Sequence, residues 1–223
     1  MGKKTSVLLA VIVLTGLACA FFVYDRAFRE KELSIDELKL YAHQGDLEAQ
    51  NKLGAAYFNG KGVEKNAAEA QRWFRESAEK GYAKAQYNLG VIYYLGQGVV
   101  RNNEEAVKWF EKAAAQGLAD AQYNLGVMYY QGAGVKQSYA EAFRLYSESA
   151  EKGYALAQYN LGLMYLQGTG IPKDQVKAYM YLSLAAGQKV PEAVKNRDYL
   201  DKNMPPDKLK QARKLAVDWE PGK

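Results

Sequence analysis

The chain of 223 residues contains one cysteine, Cys19, and one histidine, His43. A single thiol cannot close an internal disulfide, and one thiol with one imidazole cannot assemble a Cys/His zinc cluster. The same scarcity removes most routes to nucleophilic catalysis. A Cys–His pair would need Cys19, inside an apolar run, to meet His43, and a Ser-His-Asp arrangement would also have to pass through His43. His43 lies near the end of a predicted helix, "DELKLYAHQG", with nothing beside it to orient or perturb it, and is expected to face solvent. A surplus of one charge sign is missing too. The net charge is +5, from 30 basic and 25 acidic residues, and Lys3 and Lys4 supply part of that excess. Beyond the first residues acids and bases are interleaved, which argues against nucleic acid as a partner. Carboxylate pairs such as Glu104–Glu105 alternate with lysines on a solvated face and give no acid/base pair a reason to be buried. No cofactor and no metal is expected, and an enzyme is not.

The one long hydrophobic run is at the start. Residues 7–24, "VLLAVIVLTGLACAFFVY", carry no charge and follow Lys3 and Lys4. A signal peptide would be cleaved after Ala20, at the small-x-small triplet "ACA". A membrane anchor would keep the run, which as a helix spans about 27 Å, enough for a bilayer core. A lipoprotein would acylate Cys19, although Gly16 stands where a branched apolar residue is usual. The run continues past the cleavage triplet through Phe21, Phe22, Val23 and Tyr24, which favours the anchor. Lys3 and Lys4 then keep the N-terminus inside, with Arg26, Arg29 and Lys31 on the far side weighing the other way. Under anchor or cleavage, the remainder works outside the cytoplasm of a bacterium, in the envelope; under the anchor the membrane is met through this segment only.

What is abundant is self-similarity. "AQYNLG" occurs at 85–90, 121–126 and 157–162, at an interval of 36 residues. A period of this size marks a repeat architecture. It divides the chain into an N-terminal segment 1–24, a linker and capping helix 25–48, four units 49–84, 85–120, 121–156 and 157–192, and C-terminal capping helices 193–223. In the second unit Ala85, Leu89 and Tyr93 share one helical face, and Ala106, Trp109, Phe110, Ala113 and Ala114 form the apolar stripe of a second helix opposite Glu104, Lys108, Glu111 and Lys112. Each unit is thus a helical hairpin. Gly54, Gly90, Gly126 and Gly162 keep the same phase inside the first helices, where glycine costs about 1 kcal/mol against alanine, so a close approach of the second helix is expected there. Asn66, Asn102, Ser138 and Asp174 stand as N-caps of the second helices, with Glu69, Glu105 and Glu141 at capping-box spacing. Gly81, Gly117 and Gly153 stand as left-handed C′ residues. "SIDELKLYAHQG" reads as a lone second-type helix ahead of the array, and "PPDKLKQARKLAVDW" as a helix that closes it. The "GQGV", "GAGV" and "GTGI" stretches follow helices and lack a Lys-Ser/Thr, so they are not phosphate loops.

The pattern A-x3-LG-x2-Y-x2-G-x-GV, a capping residue, an aromatic pair after A-x2, and a closing A-x2-G resembles the Sel1-like repeat family across residues 34–192. The resemblance implies an all-α solenoid related to tetratricopeptide arrays, acting as an adaptor that holds protein partners. A cysteine-rich secreted branch of that family is linked to β-lactam binding and hydrolysis, which makes a cell-wall-directed activity the alternative. Its paired cysteines are missing here.

The 18 tyrosines are the remaining excess. Tyr87, Val91 and Tyr94 lie about 180–240° around the first helix from Ala85, away from the stripe that meets the second helix. The same phase holds Phe58, then Tyr123, Val127 and Tyr130, then Tyr159, Leu163 and Leu166. A helix that is apolar on two sides must cover both. Either these residues pack between neighbouring units, or, in the tetratricopeptide-like arrangement, they line a concave groove for a peptide or protein partner.

Overall fold

The computed structural model describes residues 33–221; the anchor, cleavage and lipidation readings of residues 1–24 lie outside the described residues. The described residues form eleven α-helices and no strand. A lone helix, α1 (Ile35–His43), precedes four hairpins: α2 (Leu47–Asn59) with α3 (Ala67–Glu79), α4 (Ala83–Leu95) with α5 (Asn103–Ala115), α6 (Ala119–Gln131) with α7 (Tyr139–Glu151), and α8 (Ala155–Gln167) with α9 (Gln175–Gly187). Two more helices follow, α10 (Pro191–Asn203) and α11 (Pro206–Asp218). The expected α-solenoid is the observed fold. No helix among the described residues is long and apolar enough to cross a membrane.

Capping follows the sequence with one correction. The side chains of Asn66, Asn102 and Ser138 accept from the backbone N–H of Glu69, Glu105 and Glu141, and Asp174 accepts from Val176 and Lys177. The reciprocal half of the capping box is seen only in α1, between Ser34 and Glu37. In the hairpins the N-cap N–H instead donates to a carbonyl of the first helix: Asn66 to Tyr57, Asn102 to Tyr93, Ser138 to Tyr129 and Asp174 to Tyr165. With that donor satisfied, Glu69, Glu105 and Glu141 turn forward to Arg72, Lys108 and Arg144. Gly81, Gly117 and Gly153 hold φ of 95°, 81° and 86° as C′ residues, a region only glycine enters freely.

The core is distributed along the array. One apolar cluster joins Ala70, Phe74 and Ala78 of α3 to Ala85, Leu89 and Ile92 of α4, with Trp109 of α5 at its edge. The next joins α5 and α6 through Phe110, Leu125 and Met128, and another joins α7 and α8 through Tyr146, Leu161 and Met164. Each unit therefore completes the burial of its neighbour, as a solenoid requires. The in-helix glycines sit where the hairpin closes. A Cβ on Gly90 would stand 2.7 Å from the Phe110 ring, on Gly54 2.8 Å from the Phe74 ring, and on Gly126 2.8 Å from the Tyr146 ring. The close approach expected from sequence is made by an aromatic ring of the second helix packed against the first. At Gly162, where Leu182 replaces the ring, the second-helix backbone comes near as well, its amide nitrogen at 3.2 Å.

The Gly-x-Gly loops join unit to unit. A Cβ on Gly62, Gly98, Gly134 or Gly170 would strike Ile35, Ala67, Asn103 or Tyr139, the first residue of α1, α3, α5 or α7. Each hairpin loop thus rests on the N-terminal end of the preceding unit's second helix. The last unit breaks the pattern: α10 and α11 are joined by Met204 and Pro205 alone, and both pack on α9. Tyr179 of α9 donates its hydroxyl to Asp201, which also takes Arg213 of α11 in an ion pair.

Candidate interaction surface

The six letters that recur have six distinct positions. Ala85, Leu89 and Gly90 are buried in the hairpin and junction core. The glutamine, which the pattern of apolar residues does not explain, is buried at every unit: Gln50, Gln86, Gln122 and Gln158. Gln86 Nε2 donates to Ala78 O in the last turn of α3, at 3.1 Å, and its Oε1 accepts from Gln116 Nε2 at 2.8 Å. Gln116 also donates to the Gly81 carbonyl. Gln158 and Gln188 repeat this set two units later, with Gly153 as the third member. Between them Lys152 takes the donor role, reaching Gln122 Oε1 and Gly117 O. The carbonyls left open at the end of one second helix are therefore closed by the following unit.

The tyrosine and asparagine link the first helices side by side. Asn124 Nδ2 donates to the Tyr87 hydroxyl at 3.2 Å, and Asn160, in the same phase one unit on, lies beside the Tyr123 and Tyr146 hydroxyls. In the first unit Asn51 occupies the tyrosine phase and accepts from Asn88 at 2.8 Å. The row ends at Tyr159, because Asn196, in register to continue it, donates to the Glu192 carbonyl of its own helix. The Tyr87 ring lies 5.8 Å from Phe110, and the Tyr123 ring lies 5.9 Å from Tyr146 and 5.1 Å from Tyr154. Burial pushes the Tyr87 and Tyr123 hydroxyls above the usual tyrosine range, and Tyr154 to about 12, so all three stay neutral at physiological pH.

All the residues singled out on this face are half-buried. Phe58 packs on the α3–α4 cluster, Tyr87, Val91 and Tyr94 on the α5–α6 cluster, and Tyr159 and Leu166 on the cluster around α9. Four of them come together between α6 and α8: Tyr123, Val127, Tyr130 and Leu163, with Asn160 and Gln167, line a pocket of about 310 Å³. No charged side chain lines it. Tyr130 also meets Tyr139, the first residue of α7, edge to face, with ring centroids 5.1 Å apart. Sequence reasoning found the aromatic members and missed the amides, whose signal was present in the repeated letters Q and N. His43 is exposed, with Nδ1 2.6 Å from the Lys39 carbonyl and its ring edge on Trp73. Among the described residues no group of three or more His, Cys, Asp or Glu is placed to hold a metal.

An array of repeated hairpins that presents a row of half-buried aromatic and amide side chains defines a repeat scaffold. Residues 47–82, 83–118, 119–154 and 155–189 each match the Sel1 repeat family, and the chain belongs to it. Sel1 repeat proteins are generally non-catalytic scaffolds that bind other proteins. No curated protein matches the chain. Among solved structures, the chain is similar to a protective antigen present in uropathogenic Escherichia coli strains that displays an SLR fold. That match has 35% identity and a TM-score of 0.76, covering 83% of this chain and 41% of the antigen. The chain thus spans less than half of that protein's length. A Sel1 repeat protein from Oxalobacter formigenes is 38% identical with a TM-score of 0.68, over 78% of this chain and 71% of that one. An immunity protein from Pseudomonas aeruginosa shares the fold at 21% identity and a TM-score of 0.52, over 82% and 73% of the two chains.

Proposed function

We propose that this chain is a non-enzymatic scaffold of the bacterial cell envelope that grips a peptide or protein partner along the concave face formed by its first helices. The pocket between α6 and α8 carries the reading. Its aromatic and aliphatic walls suit an apolar anchor side chain, and the Asn160 and Gln167 amides at its edge suit a peptide backbone. Truncating an anchor aromatic costs about 2 kcal/mol of binding, roughly thirtyfold in affinity. Tyr130→Ala and Leu163→Glu in the full chain are therefore expected to abolish capture of the partner by crosslinking in the native cell, while helicity and melting stay close to the parent. Capture at the parental level by both folded variants rules out this face.

The envelope location rests on the uncharged run at residues 7–24 and on the lysines before it. That the 35%-identical relative is a protective antigen fits an exported protein. In inner-membrane vesicles with the cytoplasmic side outward, residues 25–223 are expected to resist added protease. Digestion there would place the array in the cytoplasm, and a mature N-terminus at Phe21 would select cleavage over anchoring.

A further inference from the structure

A second recess lies away from the concave pocket, at the C-terminal end of the array. It has a volume of about 720 Å³ and is formed by the end of α8, the start of α9 and one face of α11. Its origin is structural. At α1, α3, α5 and α7 the first residue of the helix is covered by the next unit's Gly-x-Gly loop. After α9 no such loop follows, since α10 turns into α11 through Met204 and Pro205. The start of α9 is left open, and α11 stands beyond it as a far wall.

The walls are chemically two-sided. Leu166, Val176 and Leu215 give an aliphatic floor, and Lys173, Lys177 and Lys208 surround it from three separate segments. These three lysines are exposed, and no ion pair engages them among the described residues. Lys177 Nζ lies over the Tyr165 ring at 5.3 Å, which holds its charge beside the recess. The one carboxylate in the wall, Asp174, accepts from the backbone N–H groups of Val176 and Lys177. The recess therefore keeps a positive balance over an apolar base. Its volume is within the range of pockets that bury a ligand group, about 300–1,000 Å³. An aliphatic base without aromatic platforms does not stack nucleobases, and no basic stripe extends from it across the interleaved surface. Carboxylates spaced around a leucine-sized side chain match it in charge and shape.

We infer that this recess docks a short acidic, leucine-bearing segment of a protein partner, at a site separate from the concave pocket and independent of its role. The test uses the full chain in detergent and a fluorescein-labelled glutamate–leucine octapeptide, followed by anisotropy, with octapeptides of glutamate alone and of lysine and leucine as comparisons. The mixed acidic peptide is expected to bind, to weaken in high salt, and to lose about tenfold in affinity in Lys208→Glu and again in Lys173→Glu. Both lysines are exposed, so melting stays parental, and Lys136→Glu in the α6–α7 loop leaves binding unchanged. Tyr130→Ala also leaves it unchanged, which separates failure here from failure of the concave reading. The inference is overturned if the mixed peptide does not bind, if it binds no better than glutamate alone, or if both Lys→Glu variants bind like the parent. Displacement of the peptide by anionic lipid vesicles would overturn it in favour of a membrane headgroup.

Discussion

Gly90→Val is expected to destabilise the array by about 3 kcal/mol, a drop of roughly 6–12 °C in melting temperature for a chain of this size. The added Cβ alone would stand 2.7 Å from two carbons of the Phe110 ring, before the two methyl groups are placed. The ring cannot step aside, because Phe110 is 1% exposed and belongs to the cluster that joins α5 to α6. Helix propensity works the other way, since glycine is the poorer helix former, so the loss measured is packing strain. The fourth unit suggests the rescue: there Leu182 stands where the ring does elsewhere. Gly90→Ala combined with Phe110→Leu should melt higher than the sum of the single effects predicts, as coupled neighbours do. A Gly90→Val protein that melts within 2 °C of the parent would remove the ring-on-glycine account.

Tyr123→Ala should cost about 2–3 kcal/mol of stability, and Tyr123→Phe about 1 kcal/mol. The ring lies against Tyr146 and Tyr154, so its removal opens a gap where α6 and the following unit meet. The phenylalanine variant keeps the ring and loses only the hydroxyl and its polar contact with Asn160. Amide exchange should localise the loosening to α6, α7 and α8. Tyr130, whose ring meets Tyr139 edge to face and packs on the rim of the α7–α8 cluster at the pocket, supplies the contrast: its truncation should weaken binding far more than it lowers melting. If Tyr123→Ala melts like the parent, the residue belongs to the groove alone and does not join the units.

The fold was legible because its punctuation is local. Asn66, Asn102, Ser138 and Asp174 each cap a helix by binding N–H groups two or three residues on, so their spacing betrays them. Gly81, Gly117 and Gly153 similarly report a backbone conformation that one residue type prefers. The junctions were harder to read. Gln86 and Gln158 sit on a helical face that periodicity marks only as polar, and their partners lie in the preceding unit's second helix and at the C-cap of their own unit's second helix. Sequence separation near 30 or 35 residues hides such pairs unless the repeat is already aligned in space. The capping glutamates misled for a related reason: the donor they would have taken is used by a carbonyl of the other helix in the hairpin. The tyrosine face was correctly marked as apolar, but which part of it is mortar and which part is open depends on the angle between units, which side-chain spacing does not encode.

The polar latches at the junctions, amides at two of them and the Lys152 ammonium at the one between, have a consequence for how the chain acquires its shape. Gln116 reaches Gly81 and Gln86, and Gln188 reaches Gly153 and Gln158, so no latch waits for residues more than one unit away. The loop-closure penalty is accordingly the same modest sum at every step, and it never grows with chain length. A hairpin that has just left a ribosome or a translocation channel finds its docking surface already built by the one before it. Assembly therefore runs like a zip from the N-terminal end, in the order of emergence, and a chain halted midway is a shorter stack with one unlatched end rather than a misfolded whole.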